Sequence, residues 1–571
     1  MLLGAEDRRL SRAAFHGRGY KRDPATPVNT RKGGTERPLQ FASSTASRSH
    51  FSSQQQGSCS VFYVKPEEQM KNSTPILVLS LVASACSESG QRDSQPLYSD
   101  RGGVGVVQQA ARFGKVPQHV ETRLSLAVTD KIILQAFPFG DLMQQLAQQG
   151  GVDRLSLFHQ WWDSEGTSPG VGPGPHCDDE QTGGSSTFNG FPLQCPRAEH
   201  REALIDPFVN EAQSPLAYDP IGLFNRFDLA PSDGHDCGEY RIVFARRDQG
   251  DSSHNLLIFE GVLPNPTQAL GLAGCLPVAQ MWGDLSHEPN ALKRRDQLHD
   301  FYFNGLPGFE PVIHIDHYGA GADGRGQIRT NQFIQFDWLL REFKMRRACP
   351  AGPCGVSIVP ATAKVNPFGP LFDARSTDPQ ASAFQAAFVA SVDNLASADI
   401  NRFFYEPANT FNTGQSDVFG LESNYVSQFG SAPNGFRDAI QARLTAIGSN
   451  LTPTNLVTRA EALSCAGCHQ LSNQAPLGGG LTWPTSAGFT HISDRNVVSG
   501  PDGDAFQLSS ALISTFLPHR KMVLEAFLTA FGPDQCIPQF TCRKNACGIF
   551  VDDCGNEVCC NNAINHLACC W

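Results

Sequence analysis

Eighteen cysteines in 571 residues set the strongest limit on what this chain can fold into. Thiols in that number do not persist free in a reducing compartment, so the count predicts an oxidising location and a fold partly held by disulfides. Six of them, Cys177, Cys195, Cys237, Cys275, Cys349 and Cys354, lie in the central region, and eight crowd the last 36 residues from Cys536. Both counts are even, as pairing requires. Cys349 and Cys354 are near enough in sequence to pair locally; the spacing leaves the remaining connectivity open.

Of the four cysteines outside these groups, two share one short motif. Cys465-Ala466-Gly467-Cys468-His469 reads CxxCH. Two thiols three residues apart on a helical turn can each add to a haem vinyl group, and the adjacent His then directs its imidazole at the iron. Ala466 and Gly467 are small enough for the macrocycle to lie against the backbone. Chance placement of 18 Cys and 16 His in 571 positions yields about 0.02 such motifs. A zinc site would want two more ligands at short spacing, and none follows within about 20 residues.

Through ALSCAGCHQ the segment 455–532 resembles the c-type cytochromes. The resemblance implies one covalent haem c on Cys465 and Cys468, with His469 as proximal iron ligand and a Met or His downstream as the second. Met522, His491 and His519 are the candidates for that distal position, and an open iron is the alternative. His519 and Met522 are three residues apart and can share a helical face, with Pro518 kinking or starting the helix there.

Export is legible further upstream. From Met70, MKNSTPILVLSLVASAC joins a basic residue (Lys71), an apolar run over 75–82 and small residues before Cys86, the layout of a secretory signal. With Cys at the cleavage point it resembles a bacterial lipoprotein signal. That implies a lipidated Cys86 as mature N-terminus, a polar tether over 87–100, and an anchored location at the cell envelope, in the periplasm or on the outer membrane. Residues 1–69 carry 11 Lys or Arg against 6 Asp or Glu with little apolar periodicity and read as a disordered or non-native extension. No run of 18 apolar residues predicts a spanning helix. The formal net charge of −11 argues against a nucleic-acid partner bound by charge.

The expected fold class is α+β: a large disulfide-linked domain with an antiparallel sheet over 101–375, a helical region over 376–532 containing the cytochrome-c-like segment, and a Cys-rich disulfide module over 533–571. Strands are predicted at 240–246, 255–263, 312–318 and 327–334, which are β-branched or aromatic-rich and bounded by turn residues. Helices are predicted at 141–149, 154–162, 291–303, 336–346, 381–395, 435–447, 459–468 and 504–531. The Pro- and Gly-rich stretch 349–375 reads as a boundary. In His314-Ile315-Asp316-His317, strand alternation puts His314 and Asp316 on one face and His317 on the other, which favours a structural strand over a three-ligand metal site. Residues 224–241 either orient Asp228, His235 and Glu239 in a pocket or form a hydrogen-bonded loop closed by a Cys237 disulfide.

No GxSxG, Walker or dinucleotide-binding glycine pattern supports a hydrolase or nucleotide enzyme. The expectation is therefore an exported haem c protein that transfers electrons to or from a redox partner protein or a small-molecule donor or acceptor. Two alternatives stand beside it. One is a haem-dependent oxidoreductase, oxidase- or peroxidase-like, whose large domain shapes a substrate pocket. The other is a surface binding lipoprotein with a structural haem.

Overall fold

The stretches richest in β-branched and aromatic residues assemble into one antiparallel sheet. In this computed structural model the described residues are 119–162, 176–196, 200–247, 254–334, 337–348, 355–418, 420, 422–486, 491–531, 543–544 and 550–551. The sheet runs in chain order through β1 (Ala127–Val128), β2 (Tyr218–Arg226), β3 (Asp236–Arg246), β4 (His254–Pro264), β5 (Gln327–Ile334), β6 (Asp337–Ala348) and β7 (Gly355–Ala361). A short strand, β8 (Gln415–Asp417), pairs with residues 339–341 of β6, next to the stretch that β7 occupies. Short connections join β2 to β3, β3 to β4, β5 to β6 and β6 to β7, whereas the longer ones from β1 to β2 and from β4 to β5 carry helices.

Period-two alternation gives the sheet two unlike faces. On β4, Leu257 and Phe259 point to one side and His254, Leu256, Ile258 and Glu260 to the other. The first side is apolar. There α1 (Phe139–Gly150) and α2 (Arg154–Trp162) bury Phe139 and Trp161 against Phe259, with ring centroids 6.3 and 5.9 Å away. Further on, α3 (Leu276–Asp284) stacks Trp282 on Tyr240 of β3 at 5.9 Å, and α4 (Ala291–His299) follows it. The second side faces a cavity, described below.

A separate core of helices follows the sheet. Phe384 and Phe388 of α5 (Ala381–Ala390), Phe436, Ile440 and Leu444 of α6 (Gly435–Ala446), and Leu456, Val457 and Ala460 of α7 (Pro453–Leu463) are its buried members. Asn434 caps α6 by accepting from the Arg437 N–H, and Thr452 with Asn455 forms a capping box on α7, so both starts are locally encoded. The chain then makes a hairpin, β9 (Ile492–Gly500) with β10 (Gly503–Leu508), and continues into α8 (Leu517–Phe531). Ile492, Leu508 and the buried face of α8 belong to the sheet core, with Phe527 4.6 Å from Phe227.

The mixed helix and antiparallel-sheet class agrees with expectation, as do two disulfides, Cys177–Cys195 and Cys237–Cys275. Several elements differ. Residues 336–346 were expected to be helical, yet 337–348 is β6. Its Trp338, Leu340, Phe343 and Met345 are buried together with Leu339, Arg341 and Glu342, so a strand covered on both faces loses the alternation that marks strands. Residues 312–318 are no strand but lead into a 3-10 turn, Ile315–Tyr318. The region 376–532 is not uniformly helical: β8, β9 and β10 interrupt it, the hairpin replacing the start of the helix expected over 504–531. Nor do the cores divide at residue 375, because β9, β10 and α8 rejoin the first one. The extension 1–69, the signal and Cys86, the tether, Cys349 and Cys354, and the tail cysteines lie outside the described residues. Among the described residues no helix is long and apolar enough to cross a membrane.

Candidate functional site

The CxxCH turn begins where α7 stops. Ser464 ends the helix: its Oγ donates to the Glu461 carbonyl at 2.8 Å and accepts from the Gly467 N–H at 3.0 Å, while its carbonyl accepts from the Cys468 N–H. The chain continues as a wide helical turn, Gly467–Leu471, closed by the Ser472 N–H on the Gly467 carbonyl at 3.0 Å. A Cβ at Gly467 would overlap the Glu461 carbonyl oxygen, so only glycine fits. Ala466 is fully buried against Trp338, Leu340 and Val418. The two intervening residues are thus small because their own protein packs on them.

Cys465, Cys468 and His469 all line one side of a cavity whose other wall is the second face of the sheet. Two adjoining spaces of about 710 and 280 Å³ share Arg226, Arg241, Trp338, His469, His491 and Arg520 in their walls. The His469 ring stacks flat on Trp338, centroids 4.3 Å apart and 9° from parallel. Trp338 is itself fixed by donating its Nε1–H to Asn331 at 2.6 Å. Burial, with the nearby His254 adding, pushes the His469 imidazole down to about 4, and burial pushes the Cys465 thiol up to about 11 although Arg329 opposes it. At neutral pH both groups are uncharged.

Charge comes from the sheet wall. Glu260 is fully buried between Arg241 at 3.1 Å and Arg329 at 3.2 Å, and Arg329 also meets Glu342 at 3.1 Å. Burial would raise the Glu260 carboxyl, but the two guanidinium groups outweigh it and hold it below the usual range. Arg226 clasps Asp228 through two bonds of 2.9 Å, and Arg520 of α8 approaches the same carboxylate at 3.9 Å. Here too burial is outweighed by Arg226 and Arg520, which keep Asp228 well below the carboxylate range. At the far end of the larger space His254 Nδ1 meets Asp494 at 2.7 Å.

Of the residues singled out from sequence, Cys465, Cys468, His469, His491 and His519 come together at this cavity. Met522 does not: it sits on the outer side of α8, 39% exposed, and is not in the cavity wall. In the stretch 224–241 both expectations hold in part. Asp228 reaches the cavity, whereas Cys237 closes its disulfide and Glu239 pairs with Arg241 at 2.5 Å. Arg226, Arg241, His254, Trp338, Asp494 and Arg520 were missed. The polar positions alternating along β5, Gln327, Arg329 and Asn331, were the one local signal, since polar groups recurring every second residue of a strand mark a face that is not plain core. No family model, curated protein or solved structure matches the chain.

Proposed function

We propose that the chain carries one covalent haem c on Cys465 and Cys468, with His469 as proximal ligand, and transfers electrons at the cell envelope. The observation carrying this reading is the shared cavity, in which both thiols and the imidazole line one space together with His491 and His519. The residues fit the group. The thiols line the space of about 280 Å³, and His469 lines both it and the adjoining one of about 710 Å³, whose volume falls within the roughly 300–1,000 Å³ usual for cofactor sites. Arg226 and Arg241 line both spaces, each already paired with a carboxylate of the sheet wall, and His469 stays neutral with its lone pair available above about pH 4.

A haem bound there supplies an iron that gains and loses one electron. The chain's own residues have separate tasks. Cys465 and Cys468 tether, Trp338 fixes the plane of the His469 ring, and the buried pairs around Glu260 and Asp228 hold the sheet wall rigid. His491 and His519 are the candidates for the second axial position. Electrons would pass to or from a redox partner protein or a small-molecule donor or acceptor. Lipidation at Cys86 belongs to the same proposal; a mature chain that retains the Ala85–Cys86 peptide bond refutes that part.

One observation favours a second reading, a haem-dependent oxidoreductase. The larger space runs past His469 to the His254–Asp494 pair, and a carboxylate-oriented imidazole is suited to moving protons on a substrate. Expression in a host that matures c-type cytochromes separates the cases. Haem should survive acid acetone in the unmodified chain and be lost from the Cys465→Ser, Cys468→Ser double variant; freely extractable haem overturns the proposal. A low-spin reduced spectrum with poor carbon monoxide uptake supports electron transfer, and His491→Ala or His519→Ala should turn it high spin. A high-spin protein that binds carbon monoxide readily favours the oxidoreductase.

A further inference from the structure

The 3-10 turn Ile315–Tyr318 lies on the α1 side of the sheet, with Tyr318 packed edge-on to Phe259 at 5.7 Å. Its three-residue period puts His314 and His317 on one side, where a strand would have separated them. Their ring centroids are 5.3 Å apart. Glu310 closes the group: its Oε2 is 3.6 Å from His314 Nδ1 and 3.8 Å from His317 Nε2, and the three potential ligand atoms lie within 4.8 Å of one another. Those separations are too long for hydrogen bonds. They are near the ~3.4 Å that separates ligands held 2.0–2.2 Å from a tetrahedral centre.

His317 points to what the gap is for. It is 1% exposed, its Nδ1 lies 3.3 Å from the Val312 carbonyl, and its Nε2 has no hydrogen-bond partner. Donation from Nδ1 fixes the tautomer whose Nε2 carries a lone pair, the arrangement that metal-binding histidines share. A buried nitrogen left unmatched is destabilising unless something occupies it. The support is rigid: Gln149 of α1 accepts from the Ile315 N–H at 2.9 Å, and Gln145 and Gln149 both donate to the Ile313 carbonyl. Asp316 Oδ2 also lies 3.7 Å from His314 Nδ1, but its Oδ1 is held by Arg347 at 2.7 Å, and Glu310 is the carboxylate that faces both imidazoles. The one contact an ion must displace is a long bond of 3.3 Å from the Asp316 N–H to His314 Nδ1.

We propose that Glu310, His314 and His317 form a mononuclear site for a divalent transition metal, with zinc the ion best matched to two imidazoles and one carboxylate. Three protein ligands leave a fourth position for water, and Glu310, 65% exposed, leaves the site open to solvent. The site stands independently of the haem reading, being built from other residues on the other face of the sheet.

Cobalt distinguishes this cluster from the CxxCH thiols. The full chain, purified without a polyhistidine tag and dialysed against a chelator, is titrated with Co²⁺ and then Zn²⁺. One equivalent of cobalt should produce visible ligand-field bands without thiolate charge transfer, and zinc should displace it. Cys465→Ser with Cys468→Ser should keep that spectrum, whereas Glu310→Gln and His314→Ala should each lose it. Thermal unfolding of metal-free Glu310→Gln should match the unmodified chain, because the carboxylate is exposed. Equal cobalt affinity in Glu310→Gln and the unmodified chain, or bound cobalt that always carries the thiolate band, overturns the proposal.

Discussion

On the sheet side of the cavity the side chains are charged, buried and already matched to one another; on the helical side they are neutral and chemically reactive. Arg241, Glu260, Arg329 and Glu342 form a closed ionic chain on β3 to β6. Cys465 and His469 instead protrude from the end of α7, and burial keeps both uncharged. The contrast follows from how each wall is made. A sheet face fixes side chains from distant segments at set spacings, so opposite charges can be paired once and kept. A helix end offers a few neighbouring residues in a strict local pattern, which suits a motif that must meet one group at two points.

If the sheet wall depends on charge, removing its central carboxylate should do the most damage. Glu260→Ala leaves Arg241 and Arg329 without their common partner and should cost on the order of 4 kcal/mol in guanidinium chloride unfolding. A loss below about 1 kcal/mol would mean that Glu239 and Glu342 already balance those cations, and the contrast between the walls would fail. Packing should dominate the helical core instead. Leu444→Ala, at a fully buried position, should cost about 3 kcal/mol while haem retention stays unchanged.

The sheet should also respond to pH. Burial pushes Asp236, at the start of β3, up to about 6 against the pull of Arg325 and the Gly238 N–H. Its folded value then lies above its unfolded one, so the folded chain keeps a proton that the unfolded chain releases. That stabilisation is full below about pH 4 and is lost as pH rises through 6, an effect of about 2–3 kcal/mol. Asp236→Asn should flatten stability across that window; an unchanged slope would assign the proton elsewhere. The smallest effect belongs to a local cap: Thr452→Ala removes the capping box of α7 and should cost about 1 kcal/mol by thermal unfolding.

What could be read in advance tracks the range of the interaction. CxxCH was legible because its chemistry is contained in five residues, and the strands at 240–246, 255–263 and 327–334 because turns bound them. The sheet's charged wall was not: His254 and Asp494 are 240 positions apart, and nothing near either one announces the other. Buried on both faces, β6 carries an apolar run that fits a helix as well as a strand. The same limit hid the metal cluster, since a period of two and a period of three place His314 and His317 on opposite sides or together.

The return of α8 to the first core sets an order in time. Val120, at the start of the described chain, gives its N–H to Glu525 of α8 at 2.9 Å, and Phe227 waits for Phe527. A chain made from its N-terminus therefore completes the core of its sheet only after residue 531 exists. Until then the space beneath β2 to β6 lacks the wall that His519 and Arg520 give it. Shortening the chain before α8 would remove that wall and the clasp on the oldest part of the fold together.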